Sequence, residues 1–392
     1  MDIDQDETDV VAELNHFNKI VNSFEQYRRY SLAANNRRRK DFYKIPLDDQ
    51  ALLKDYPSKL NEVDDRIRRN ADVLDELVMR ALQTGLGPPS ILEPRIVHSD
   101  QSLNSGSAPM ACDGDTKGQA QHAVTSLDAE KVQSTLRQLV RDWSSLGADE
   151  RMACYLPILE SLEAFASTVT PSQPDKSHIR VLVPGSGLGR LVWEIANRGY
   201  SAQGNEISYH MLLASNLILN HTEIVNQWTI YPFIHSFSNF SSADGLLQEV
   251  KIPDVLTSQL LNPQDFGVSI GEFTEIFLKP SEKEKWHALV TCFFLDTAQN
   301  IVKYIRSFHH LLKPNGIWIN LGPTLWHHES SSNSKDTSIE LDVLEIKELC
   351  FKMGFEFQLG SERVIETTYA WNPHNNLKQV YKADFWVALK RS

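Results

Sequence analysis

Apolar positions recur every three or four residues near the start of the chain. Val10, Leu14, Phe17, Val21 and Phe24 share one helical face, and Leu60, Val63, Ile67, Leu74, Leu77 and Val78 outline another. Residues 1–85 therefore read as a helical region. Periodicity then stops. Gly85-Leu-Gly-Pro-Pro-Ser90 and Asn104-Ser-Gly-Ser-Ala-Pro109 give 86–126 the composition of a flexible linker. Val132, Leu136, Leu139, Val140 and Trp143 resume the helical spacing, and a further helix follows Tyr155-Leu-Pro-Ile158.

From residue 181 the pattern changes to short apolar runs alternating with helical stretches. Val181-Leu-Val is a buried strand, 190–198 a helix, the run ending at Glu206 a strand, and 208–220 a helix. Residues 228–266, rich in Ser, Asn and Pro, read as an insertion before the third strand. Ala288–Leu295 is a buried strand that stops at Asp296, and a helix spans 297–312. Lys313-Pro-Asn-Gly316 is a turn signal, followed by a strand at Ile317–Leu321. A helix over 338–353 and strands at 355–358 and 379–390 close the series. This alternation predicts an α/β fold for 127–392: an open Rossmann-like sheet with helices on both faces, ending on an edge strand.

Charge and composition narrow the reading. The 392 residues carry a formal charge of -12, which argues against broad nucleic-acid binding. No run approaches the roughly 18 apolar residues of a membrane span, and the acidic start has neither the charge nor the apolar core of a targeting peptide. Cys112, Cys154, Cys292 and Cys350 are widely spaced, so neither a disulfide framework nor a metal site is expected. A reducing location follows, cytoplasm or nucleus. Arg37-Arg-Arg-Lys40 reads as a solvated loop or helix end, with a nuclear import signal or an acidic partner's contact as the alternatives.

The candidate chemistry lies at strand ends. A dinucleotide fingerprint, G-x-G-x-x-G, would need its third glycine where Arg190 stands. Gly185, Gly187 and Gly189 instead make G-x-G-x-G, the variant typical of S-adenosylmethionine (SAM) methyltransferases. Glu206 ends the next strand, where a carboxylate can accept both ribose hydroxyls. Glu272 and Phe273 pair an acid with an aromatic, suited to an adenine. Asp296 stands at the carboxyl edge of the central strand, where it would face the transferred group or cap the helix after it.

These phrases carry a resemblance. Val181–Leu191, Gln203-Gly-Asn-Glu206, Thr291-Cys-Phe-Phe-Leu-Asp-Thr-Ala298 and Leu312–Pro323 resemble carnosine N-methyltransferases from about Leu127 to the C-terminus, and more loosely before it. The resemblance implies a class I SAM methyltransferase sheet and a SAM cofactor. It implies methyl transfer to the imidazole of a histidine-containing dipeptide or related peptide; a second reading keeps the fold and takes a histidine in an intact protein as the acceptor. The resemblance assigns cofactor contacts to Gln138, Arg141, Gly185, Glu206, Glu272, Phe273, Cys292 and Tyr304. It assigns substrate contacts to Asp296, His327, Tyr369 and Tyr381. A homodimer is a candidate assembly. Read without the resemblance, Arg141 is a surface residue, Cys292 a core cysteine, His327 a loop histidine, and the tyrosines strand-edge aromatics. Two departures are Glu272, where the family pattern has aspartate, and Trp326, where it has tyrosine.

Other readings fit less well. Nucleic-acid amino-methylating enzymes carry an N-P-P-Y type tetrapeptide where this chain has Leu295-Asp-Thr-Ala298. A non-catalytic descendant of the fold would have had no reason to keep Gly185, Glu206 and Asp296.

Overall fold

The computed structural model describes residues 3–88, 124–169, 175–260, 263–329 and 338–391. Most of the stretch read as a linker, Cys112 included, lies outside them. The chain opens on helices α1 (Ile3–Glu25), α2 (Tyr27–Phe42), α3 (Leu47–Leu52) and α4 (Tyr56–Gln83). Phe17, Val21 and Phe24 of the first predicted stripe are buried while Val10 is exposed, and all six residues of the second stripe are buried. Arg37–Lys40 falls in the last turns of α2, the helix-end alternative. Two of its members are engaged internally: Arg38 Nη2 donates to His235 O at 2.8 Å, and Arg39 Nη2 to Asp64 Oδ2 at 2.7 Å.

Helices α5 (Ser126–Trp143) and α6 (Ala148–Val169) lead into the alternating region. It comprises β1 (Arg180–Pro184), α7 (Arg190–Ala196), β2 (Ser201–Glu206), α8 (Tyr209–Asn220), β3 (Trp228–Ile230), α9 (Ala243–Leu246), β4 (Val250–Ile252) and β5 (Phe266–Ile270). Next come α10 (Phe273–Phe277), β6 (Trp286–Cys292), α11 (Ile301–Leu311), β7 (Leu312–Gly322), α12 (Val343–Lys352), β8 (Phe355–Phe357), β9 (Arg363–Thr367) and β10 (Tyr381–Lys390). The main sheet runs β5-β2-β1-β6-β7-β10-β8, with β9 also paired to β10. The pairs from β5 to β7 are parallel, and β10 is antiparallel to each of its neighbours. Strand order reverses between β1 and β6, which opens a crevice at their carboxyl ends, where ligands of such sheets bind.

One sequence expectation is corrected. The last strand is not an edge. It lies inside the sheet between β7 and β8, because at an edge so long a strand would leave one row of backbone groups unpaired. Smaller shifts have local causes. The α12 helix starts at Val343 because Asp342 and Glu345 form a reciprocal capping box. The Lys313–Gly316 turn bulges within β7, so that Trp286 pairs with Leu312 and Ala288 with Ile317.

Helix α8 is apolar on nearly every side and needs cover on both. Helices α4 and α5 pack against it, and Phe266 and Val268 of β5 border the same core. Ile230, Tyr231, Phe233, Ile234 and Val250 of the insertion join that same core, alongside Phe17, Phe24 and Leu74. Asn70 of α4 pins the two together. Its Nδ2 donates to Tyr231 O at 2.9 Å, and its Oδ1 accepts from Tyr231 N at 2.7 Å.

His210 of α8 is 5% exposed in this core. Burial first, then Lys131, pushes its pKa down to about 4. The unfolded chain, with an imidazole pKa of about 6.5, takes up a proton that the folded state refuses. Stability from this group is therefore complete above that value and lost as pH falls toward 4. His210→Phe, which keeps a ring against Phe24, should show about 1 kcal/mol less acid destabilisation between pH 7.5 and 5.5. Urea unfolding at both pH values tests this, and equal acid sensitivity in the two proteins would refute it.

Candidate active site

The glycine loop leaves β1 and wraps the crevice. Gly185, Gly187 and Gly189 have φ of 64°, 55° and 82°, a region that favours glycine. A Cβ on Gly185 would lie 2.4 Å from the Phe294 ring, whereas one on Gly187 would meet nothing within 4 Å. The loop is thus closed toward β6 and open at its tip. Trp143 Nε1 holds its far side by donating to Leu188 O at 3.0 Å. Arg190, at the third-glycine position of a dinucleotide site, turns away from the tip. Its Nη1 donates to Asp142 O at 2.9 Å and Asp254 Oδ1 at 2.6 Å, and Arg151 binds the other oxygen of Asp254. Asp254 lies in the insertion, and nothing in its sequence neighbourhood marked it as the tie between α6 and α7.

Glu206 is buried at the end of β2. Its Oε2 accepts from Gly187 N at 2.8 Å, and its Oε1 from Ile207 N at 2.9 Å and Ser208 N at 2.8 Å. Burial pushes its pKa up, and these three N–H groups oppose that shift. The carboxylate is therefore held in a fixed orientation beside the loop tip.

Arg141, read from the residues alone as a surface group, is buried. Its Nη1 donates to Asp142 Oδ1 at 2.7 Å and Tyr155 OH at 3.1 Å. Its Nε lies 2.9 Å from Glu150 Oε1 without hydrogen-bond geometry, and Nη2 has no acceptor among the described residues. Burial would lower its pKa, but Tyr155, Asp142 and Tyr369 outweigh that and keep it charged. A buried guanidinium with a spare donor fits an anionic ligand group. With the open tip at Gly187 and the carboxylate of Glu206, it fits the amino-acid end, the loop contact and the ribose of SAM. Gln138 lies half-buried about one turn earlier on α5.

The side expected to take the adenine is aromatic. Phe273 is buried among Phe294 and Tyr304, with ring centroids at 5.8 and 5.7 Å, and Phe294 stacks on Tyr304 at 5.0 Å. Glu272 caps α10, accepting from Glu275 N at 2.8 Å and Thr274 Oγ1 at 2.6 Å through one oxygen, Oε2. Cys292 ends β6. Burial pushes its thiol up, so it remains a neutral lining group.

Asp296 is 3% exposed, in a one-turn 3-10 helix after β6. It does not cap the following helix. Asn300 does, accepting from Lys303 N at 3.1 Å, and α11 begins four residues later than expected, at Ile301 rather than Thr297. Asp296 Oδ2 accepts from Leu325 N at 3.2 Å, and its backbone O from His327 N at 3.0 Å. Burial raises its pKa, and the exposed His327 opposes this. The amide N–H of Asp296 itself also acts on the carboxylate, and Oδ1 takes no hydrogen bond from another described residue.

Tyr369 and Tyr381 reach the crevice through a residue the sequence reading missed. Phe293 packs on Tyr369 at 5.0 Å and on Tyr381 at 5.7 Å. Its φ of 54° is rare for a bulky side chain, and strain of this kind clusters at functional sites. Tyr369 in turn covers the Arg141 guanidinium at 4.6 Å.

The chain is similar to several known proteins. The family model described as carnosine N-methyltransferase matches residues 118–392. The mouse carnosine N-methyltransferase is 35% identical over 96% of this chain and 86% of its own length. The fission yeast protein of the same name is 33% identical over 99% of this chain and 97% of its own. A solved SAM-dependent methyltransferase from Methanosarcina mazei superposes with a TM-score of 0.34 at 16% identity, over 56% of this chain and 94% of its own.

Proposed function

The chain belongs to the carnosine N-methyltransferase family, and on that premise we propose that it methylates an imidazole nitrogen of carnosine or a related histidine-containing peptide. It is a SAM-dependent methyltransferase, and SAM, when bound, supplies a methyl group already activated by a sulfonium. The observation that carries the reading of the acceptor side is Asp296: buried, not used as a cap, and with one carboxylate oxygen that no other described residue engages.

About three quarters of a free imidazole is neutral at pH 7, with one nitrogen bearing a lone pair and one bearing hydrogen. The protein's task is to choose the tautomer and aim the lone pair. Asp296 Oδ1 accepts the N–H, which leaves the lone pair on the other nitrogen facing the methyl group. The acceptor nitrogen's lone pair would form the new N–C bond, and the donor's C–S bonding pair would leave with sulfur. The ring becomes cationic, and the fixed negative charge of Asp296 stabilises it. The N–H proton then leaves by way of Asp296. Leu325 N–H holds the carboxylate in place, while His327, Tyr369 and Tyr381 border the ring and the peptide end. Arg141 and Glu206 would hold the two ends of the cofactor around the 185–189 loop.

The test is direct. Purified protein given isotopically labelled SAM and carnosine is expected to yield carnosine labelled on the ring. Labelled protein from a cell extract, with carnosine untouched, would overturn the small-peptide reading.

A further inference from the structure

Beside the cofactor crevice lies a cavity of about 300 Å³, at the lower end of the range for small-ligand sites. It is bounded by α5, the insertion and the segment before β10. Tyr369 and Tyr381 are in its wall, so it opens onto the place where the acceptor ring is expected. Its lining contains one charged side chain, Arg137, and no carboxylate.

Arg137 precedes Arg141 by four residues, about one helical turn, so the two guanidinium groups leave neighbouring positions on α5. Among the described residues Arg137 forms no hydrogen bond or ion pair, and Glu130 acts on it only through space. Burial lowers its pKa without coming near to discharging it. His235, also in the wall, is held neutral by burial, which brings its pKa down to about 3. The cavity therefore presents a single unpaired cation to whatever fills it, and such a cation calls for an anion.

We infer that Arg137 binds the free carboxylate of the acceptor substrate, and so selects small peptides that end in histidine over histidines inside a protein chain. The inference rests on the proposed reaction. In a dipeptide such as carnosine the carboxylate and the imidazole belong to the same residue, so a ring near Tyr369 and Tyr381 brings the carboxylate toward Arg137. A histidine within a chain has an amide there, which leaves the cation uncompensated.

Carnosine and its C-terminal amide separate the possibilities. The wild-type enzyme should prefer the acid by roughly 10- to 100-fold in kcat/KM, mostly through KM. Arg137→Met should bring that preference close to one, and Arg137→Lys should restore part of it. Unfolding midpoints and S-adenosylhomocysteine binding verify that the variants fold. Equal use of acid and amide by the wild type, or an unchanged preference in Arg137→Met, overturns the anchor while leaving the proposed function intact. Failure of the wild type to methylate either compound overturns both.

Discussion

Asp296→Asn is expected to lower turnover of carnosine by roughly 10³-fold, within the range for loss of a positioned acid–base group. Leu325 N–H needs an acceptor and will take the asparagine carbonyl, since that is the bond it makes to Asp296 Oδ2 at 3.2 Å. The asparagine NH₂ then occupies the position of Oδ1. It donates to an imidazole lone pair instead of accepting an N–H, which presents the wrong nitrogen to the methyl group. The charge that offsets the developing imidazolium is also lost. Binding of S-adenosylhomocysteine should stay within a few-fold of wild type, because Glu206 and Arg141 are untouched. Stability should not fall, since a carboxylate whose ionisation burial opposes is replaced by a neutral group. Single-turnover rates with pre-bound cofactor isolate the chemical step, and a rate near wild type would remove Asp296 from the mechanism.

Glu206→Ala should act on the other substrate. Calorimetry with S-adenosylhomocysteine is expected to show affinity reduced by roughly 100-fold, the loss of charge-assisted hydrogen bonds to two ribose hydroxyls. The same change removes the acceptor for Gly187 N–H and frees the loop tip. Glu206→Gln retains the side-chain volume and one acceptor oxygen, and should fall between the two. Affinity unchanged in the alanine variant would show that the ribose is held elsewhere. The two variants fail in opposite ways: Asp296→Asn binds cofactor without turning over, and Glu206→Ala loses the cofactor itself.

The chain's own pattern determined the strand, glycine loop and helix around 181–198, the carboxylates closing β2 and following β6, and the buried stripes of α1 and α4. These are legible because each follows from neighbours within a few residues: period, turn geometry and strand ends are local properties. Tertiary structure decided the rest. Arg141 and Arg137 have the charge and helical spacing of solvated residues. They became a buried guanidinium with a spare donor and a cavity's single charged group only when the insertion and the segments around Tyr369 closed over α5. Asp254 bridges Arg151 and Arg190 across about a hundred and about sixty residues. Phe293 gained its role from a left-handed turn that its own type does not favour. The position of β10 inside the sheet follows from which backbone groups would otherwise stay unpaired. Burial and partnership over such separations depend on which surfaces meet, and no local periodicity encodes that meeting.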